Sequence, residues 1–254
     1  MYLFGNGSLW GTASQDAQGN TIANPSPIQF GELQDVGFDF GRDLKLLYGN
    51  KAMPVAVAGG KMKFDFKSKF ARVSGRIFND LYFGATMTAG TLAAVYNDLQ
   101  GAAIPASTPW QLTAMPPATG TWVRDLGCID KNGQPMSRVA SAPATGQYSV
   151  GAGGVYTFAT ADAGQTVYIS YAYTAAVANA KKIALSNQLM GATPVFGIDL
   201  GITFQGKQAA LSFPNCVSGK LSFDPKQDDF TTASMDFSAF TDGAGNIGYL
   251  SLSE

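Results

Sequence analysis

The sequence predicts a mainly β protein with one flanking helix, on three observations. Two runs within residues 33–67 alternate apolar and polar side chains at period two. The same alternation returns after residue 195, and between them a single stretch carries the spacing of an amphipathic helix. Alternation at period two places one face of a strand on a core and leaves the other for water or a polar partner.

Residues 1–30 contain Phe4 and Trp10, a Gly-, Asn- and Ser-rich middle and the turn former Asn24-Pro25-Ser26-Pro27. They are expected to form an extended arm anchored by its aromatics, laid over its own domain or reaching a neighbouring copy. In the first strand Val36, Phe38, Phe40, Leu44 and Leu46 share one parity, and Asp35, Asp39, Asp43 and Lys45 the other. In the second, Met62, Phe64 and Phe66 alternate with Lys61, Lys63, Asp65 and Lys67, after a Gly59-Gly60 turn signal. The two are expected to pair antiparallel, with opposite charges facing each other across the strands and helping to set register.

A helix is expected over residues 68–83. Ser68 is its cap, Phe70, Val73, Ile77 and Leu81 its apolar stripe, and Gly84 its end. Lys69, Arg72 and Arg76, with Asp80, share the opposite side, either solvated or meeting acidic groups of a second subunit. Residues 91–99 and 110–115 are strand candidates.

From Pro116 to about Ala175 the segment reads as a small all-β insertion, with Asn132-Gly133 as a hairpin turn. Its clearest part is the pair 155–158 and 167–173, whose Tyr156, Phe158, Val167, Ile169, Tyr171 and Tyr173 are expected to share one small core. Residues 181–190 are read as a strand. Two-faced strands follow at 196–204, 217–223 and 234–239. The predicted organisation is therefore an arm (1–30), a β core (31–115 with 176–254) and an insertion (116–175).

With 254 residues the chain is long enough to bury roughly 70–75% of its unfolded surface. Its net charge of −1, with no run of basic residues longer than two, lacks the footprint of a sequence-specific nucleic-acid binder. The start carries no leader-like pattern and no stretch reaches membrane-span length, so a soluble, cytoplasmically made protein is expected. Cys128 and Cys216 are read as small buried hydrophobes.

No histidine occurs, which removes Ser-His-Asp and Cys-His catalysis and His-containing zinc sites. No catalytic, cofactor-binding or metal-ligating residue is assigned. The adjacent Asp228 and Asp229 suit turn capping better than paired carboxylate chemistry. Residues 242–246 lack the spacing and terminal Glu of a calcium loop. Gly151, Gly153 and Gly154 precede a strand and lack a P-loop lysine.

The order of elements also carries a resemblance. A Pro-containing arm leads into "FGELQDV", then "LKLLYG", "MPVAVA", a Lys-rich strand and "FNDLYFG"; "GTWVRDLG", "NQLMGATPVFGIDL" and "LSFDPKQDDFTT" follow later. This resembles the tail tube (major tail) proteins of long-tailed bacteriophages over most of the chain. The resemblance implies a β-sandwich or barrel subunit with one flanking helix, forming hexameric rings that stack into a hollow tube for genome passage.

It further implies an outward-facing insertion, a place in the virion tail after assembly in the host cytoplasm, and no cofactor or membrane. The implied partners are other copies and further tail proteins: tape measure, baseplate or tip, terminator and, in a contractile tail, sheath. DNA would make only transient contact in passing. Under it, Asp35, Asp39, Lys61, Lys63 and Asp65 are lumen or polar-face residues, and Phe4, Trp10, Lys69, Arg72 and Arg76 contacts between copies. The competing readings are another virion structural protein, a β-sandwich module binding cell-surface glycan through exposed aromatics, and, least favoured, a carboxylate-only enzyme.

Overall fold

The computed structural model describes Tyr2 and residues 4–253. The chain is mainly β and divides into two compact units, residues 1–86 with 183–254 and residues 87–182. The first unit opens with β1 (Ser8–Gln15), β2 (Ile28–Gln29), β3 (Leu33–Tyr48) and β4 (Pro54–Phe70). The short helix α1 (Gly75–Phe78) follows and widens into a π-helical turn, Asn79–Phe83. The second unit holds β5 (Met87–Tyr96), β6 (Ala102–Ala103), β7 (Gln111–Thr113), β8 (Thr121–Asp130), β9 (Ser137–Arg138), β10 (Gln147–Gly151), β11 (Val155–Phe158) and most of β12 (Thr166–Ile183). The chain then returns to the first unit as β13 (Val195–Phe204), β14 (Lys207–Asp224), β15 (Thr232–Ala239) and β16 (Tyr249–Leu252).

One antiparallel sheet makes the first unit, in the order β2-β1-β13-β14-β15-β4-β3, with β16 added to β14. The end strands β2 and β3 are separated in sequence only by residues 30–32, so the sheet must curl round on itself. Across the interior of that curl Phe213 of β14 meets Phe66 of β4 at a ring separation of 4.7 Å. Leu9, Phe196, Met235 and Phe237 fill the same space, closed by Ile77 and Leu81 from the helical segment. Full burial of each of those two aliphatics contributes about 1.5–3 kcal/mol.

Gly84 ends the helical segment as predicted. It sits at φ +55°, where its N–H bonds the Asn79 carbonyl at 2.6 Å. A Cβ there would lie 2.6 Å from that of Ala17, so this position needs glycine.

The helix is shorter than the expected 68–83. Ser68 is a buried β4 residue whose hydroxyl donates to the Met235 carbonyl at 3.3 Å. Phe70 is paired with both Leu33 and Ala233. Ladder bonds on both sides hold residues 68–70 in the strand, so of the expected stripe Phe70 is buried from β4, Ile77 and Leu81 are buried from the helical segment, and Val73 is exposed.

The arm is also corrected. Residues 8–15 are a strand in the interior of the sheet order, between β2 and β13. Leu9, Gly11 and Ala13 are buried along it, and of these only Leu9 is large enough to give a hydrophobic signal. Of the stretch 181–190, only residues up to Ile183 are strand.

In the second unit two four-stranded sheets, β7-β11-β10-β9 and β5-β12-β6 with β8 on β12, enclose an aromatic core. All six residues predicted to share that core do so. The unit is wider than the 116–175 of the sequence reading: β5 and β6 pair with β12, and β7 pairs with β11, drawing residues 87–115 into it.

A five-residue loop recurs three times as Asp-x-x-Gly-Asn/Gln, at residues 16–20, 130–134 and 242–246. In each, Oδ1 of the Asp accepts the backbone N–H two and four residues on, at 2.8–2.9 Å, and the Gly takes φ between +77° and +86°. These bonds favour the carboxylate. The Asn20 side chain for Asp16, the Gln134 N–H for Asp130 and the Asn246 N–H for Asp242 are the leading causes that hold each below its ordinary value of 3.8.

A lowered folded-state value adds stability above the ordinary value, and that stability is lost as pH falls through the folded-state values. Urea midpoints measured from about pH 5 to about pH 2 are expected to fall more steeply for the wild type than for the Asp16→Asn/Asp130→Asn/Asp242→Asn variant.

Candidate assembly surface

The polar face of the sheet gathers most of the predicted face residues. On β3 and β4, Asp35 lies opposite Lys69, as opposite-charge pairing requires, but Asp39 lies directly opposite Asp65, and Lys63 opposite Gly41. The expected charge alternation across the strands therefore fails at its centre. The Asp39–Asp65 pairing is mutually repulsive, and the Ser238 hydroxyl, donating to Asp65, relieves part of that cost. Among the described residues none of Asp35, Asp39, Lys61, Lys63 or Asp65 joins an ion pair within 4.0 Å.

The proposed contact residues are dispersed. Phe4 is exposed with its ring 5.6 Å from that of Phe204, and Trp10 stands on β1 opposite Asp199 and Gln29. Arg76 pairs with Asp80 at 3.5 Å, one helical turn on, while Lys69 and Arg72 are exposed.

The most distinctive surface is one that sequence reasoning assigned to the core. β15 follows β4 only from Phe70 to Asp65. Beyond that, β3 and β4 run on together as a two-stranded ribbon, about 25 Å from Gly41 to its tip. A shift in register between Arg42 and Leu44 keeps the apolar face continuous: Phe40 faces Phe64, then Leu44 faces Gly59 and Leu46 faces Val57.

Inside the curl this face is buried, with Phe66 at 1% exposure; on the ribbon Leu44 is 63% and Val57 58% exposed. Leu47, Tyr48, Met53 and Val55 extend the uncovered apolar surface around the tip. An isolated two-stranded ribbon is marginal in water, and exposed patches of this kind mark interaction surfaces. The outer edge of β3 is open as well, since β3 pairs with β4 alone among the described strands, and open edges template pairing with another chain.

The titratable groups buried elsewhere are engaged in internal bonds or packing. Asp125 is buried in the second unit, but it accepts the hydroxyls of Tyr148 and Tyr156 at 2.9 and 3.0 Å and faces Arg138 at 3.6 Å. Burial raises both tyrosine hydroxyls above their ordinary range. Burial likewise pushes the free thiols of Cys128 and Cys216 up to about 12, which suits inert packing groups.

Asp228 and Asp229 stand on an exposed loop, where Asp229 bonds Lys226 at 3.1 Å and the Phe230 N–H at 2.8 Å. Among the described residues no cluster of three metal-ligating side chains occurs, and no helix is long and apolar enough to cross a membrane. No protein-family model matches the chain, and no curated protein matches it.

Proposed function

We propose that this chain is a non-enzymatic structural subunit that self-associates into rings, and that the rings stack into the tail tube of a long-tailed bacteriophage. The observation that carries the reading is the ribbon: the core face of a strand pair continues, uncovered, about 25 Å past the rest of its sheet. Burying that face on a second copy supplies the partner that a monomer lacks. The open edge of β3 adds a place for lateral pairing, and rings close when such a heterologous contact repeats by a fixed rotation.

In a hexameric ring the charged face bearing Asp35, Asp39, Lys63 and Asp65 lines the lumen. Its mixed signs suit passage of DNA, because an excess of lysine–phosphate contacts would hold the genome in place. The resemblance in element order supplies the specific assignment to a tail, where the tape measure, terminator and tip proteins are the further partners.

Negative-stain microscopy and sedimentation of the purified full chain test this. Rings or tubes are the expected result. A strictly monomeric mass up to high concentration, with neither rings nor tubes in the images, overturns it.

A further inference from the structure

Charge on the first unit is segregated along the strand axis. The ribbon from Arg42 to Lys63 contains five basic residues and one acid, and no acid at all between Leu44 and Lys63. The remainder of that unit holds thirteen acids and seven bases. Lys51 lies in the turn at the tip and Lys45 on its approach, both exposed beside the uncovered Leu47, Tyr48, Met53 and Val55, so the tip is both apolar and cationic.

The opposite end of the same sheet is its chemical complement. β14 and β15 are joined by the loop 225–231 at the end where Phe70 of β4 pairs with Ala233, the end of β4 remote from the tip. This loop and its flank present Asp224, Asp228 and Asp229, all exposed, around two uncovered aromatics: Phe230 at 85% exposure and Phe223. The cations beside them are Lys226, which is held by Asp229, and Lys69 on β4. Asp224 and Asp228 have no ion-pair partner within 4.0 Å among the described residues.

We infer that the Lys-bearing apolar tip of one copy docks end to end on the acidic, aromatic β14–β15 loop of the next copy. The inference rests on the assembly reading above and deepens it by naming the two surfaces that join successive layers. Three features fit the pairing. The charges are opposite, the apolar side chains on each surface lack cover, and the surfaces lie at opposite ends of one sheet. A contact of that kind repeats by translation and leaves a free tip and a free loop at the two ends of any stack, so it is open-ended.

Two charge-reversed full-length variants test the inference: Lys45→Glu/Lys51→Glu at the tip and Asp228→Lys/Asp229→Lys at the loop. Each alone is expected to raise the concentration needed for stacking more than about tenfold, because like charges then meet in the contact. Images should show single rings in place of tubes. Rings of the two variants, prepared separately and mixed, are expected to stack again, since each intact surface finds its intact partner and the two reversed surfaces attract each other.

Restoration on mixing also establishes that both variants fold. Tubes that form unchanged from either variant overturn the inference while leaving the ring reading intact, as does a mixture that stays unstacked. A wild-type chain that forms no rings removes the reading beneath it. A wild-type tip that remains monomeric yet binds anionic phosphatidylserine vesicles replaces the second copy with a membrane, and overturns the inference too.

Discussion

Replacing Phe66 by alanine is expected to remove about 3–5 kcal/mol of stability, which for a unit of this size lowers the melting temperature by about 6–20 °C. Phe66 is buried in the core of the first unit. Its ring meets Phe38 at 5.1 Å, Phe237 at 5.2 Å and Phe213 at 4.7 Å, and so ties β3, β15 and β14 to β4. Truncation forfeits those contacts and leaves a void that strands fixed by hydrogen bonds on both sides cannot close. Thermal unfolding followed by near-ultraviolet circular dichroism reads the effect. Phe66→Leu is expected to cost less, and truncation of the exposed Phe230 to stay within about 0.5 kcal/mol of wild type.

The opposite profile is expected on the ribbon. Leu44, Leu46 and Val57 are exposed in the single chain, so Leu44→Ser/Leu46→Ser/Val57→Ser forfeits little of the monomer's own packing. Each substitution is expected to change monomer stability by no more than about 0.5 kcal/mol. Assembly, in contrast, should be lost outright, because these side chains form the uncovered half of a hydrophobic face. Burial of one aliphatic of this size is worth about 1.5–3 kcal/mol, and a subunit contact repeats it around a ring. Sedimentation velocity on the folded variant gives the answer: a monomer peak is expected, and tubes of wild-type yield would show that the ribbon is not the contact.

The contrast between Phe66 and Leu44 shows what was legible in the sequence. Both belong to the apolar parity of an alternating strand, and alternation correctly placed β3, β4, β13 and β15 wherever a second layer covers one face. It does not say who supplies the layer. Leu44 and Leu46 therefore read as core residues, although no described residue of the chain covers them. A local sign was present, since Leu46-Leu47-Tyr48 breaks the alternation and no acid balances the nearby lysines.

The helix was misjudged at Ser68 and Phe70 because spacing alone ignores two-sided ladder pairing, which favours strand there. β1 was missed because Gly11, Thr12 and Ala13 pack closely with little hydrophobic signal. The wider second unit was hidden because the two-residue β6 and three-residue β7 owe their place to pairing with distant strands. The like-charged Asp39 and Asp65 were each visible as polar-face residues, but their opposition depends on a register that composition cannot supply.

One long-range pairing has a consequence for how the protein is made. β1 is hydrogen-bonded to β13, and Ser14 bonds the Val195 carbonyl across 181 residues. At translation rates of about 5–20 residues per second, β1 waits about 10–40 s for its partner to leave the ribosome. The second unit, continuous in sequence between them, has time to fold first. Until β13 to β15 arrive, the β3–β4 pair lacks most of its core, so the first unit is a property of the finished chain. The order of synthesis thus delays completion of the first unit until nearly the whole polypeptide has left the ribosome.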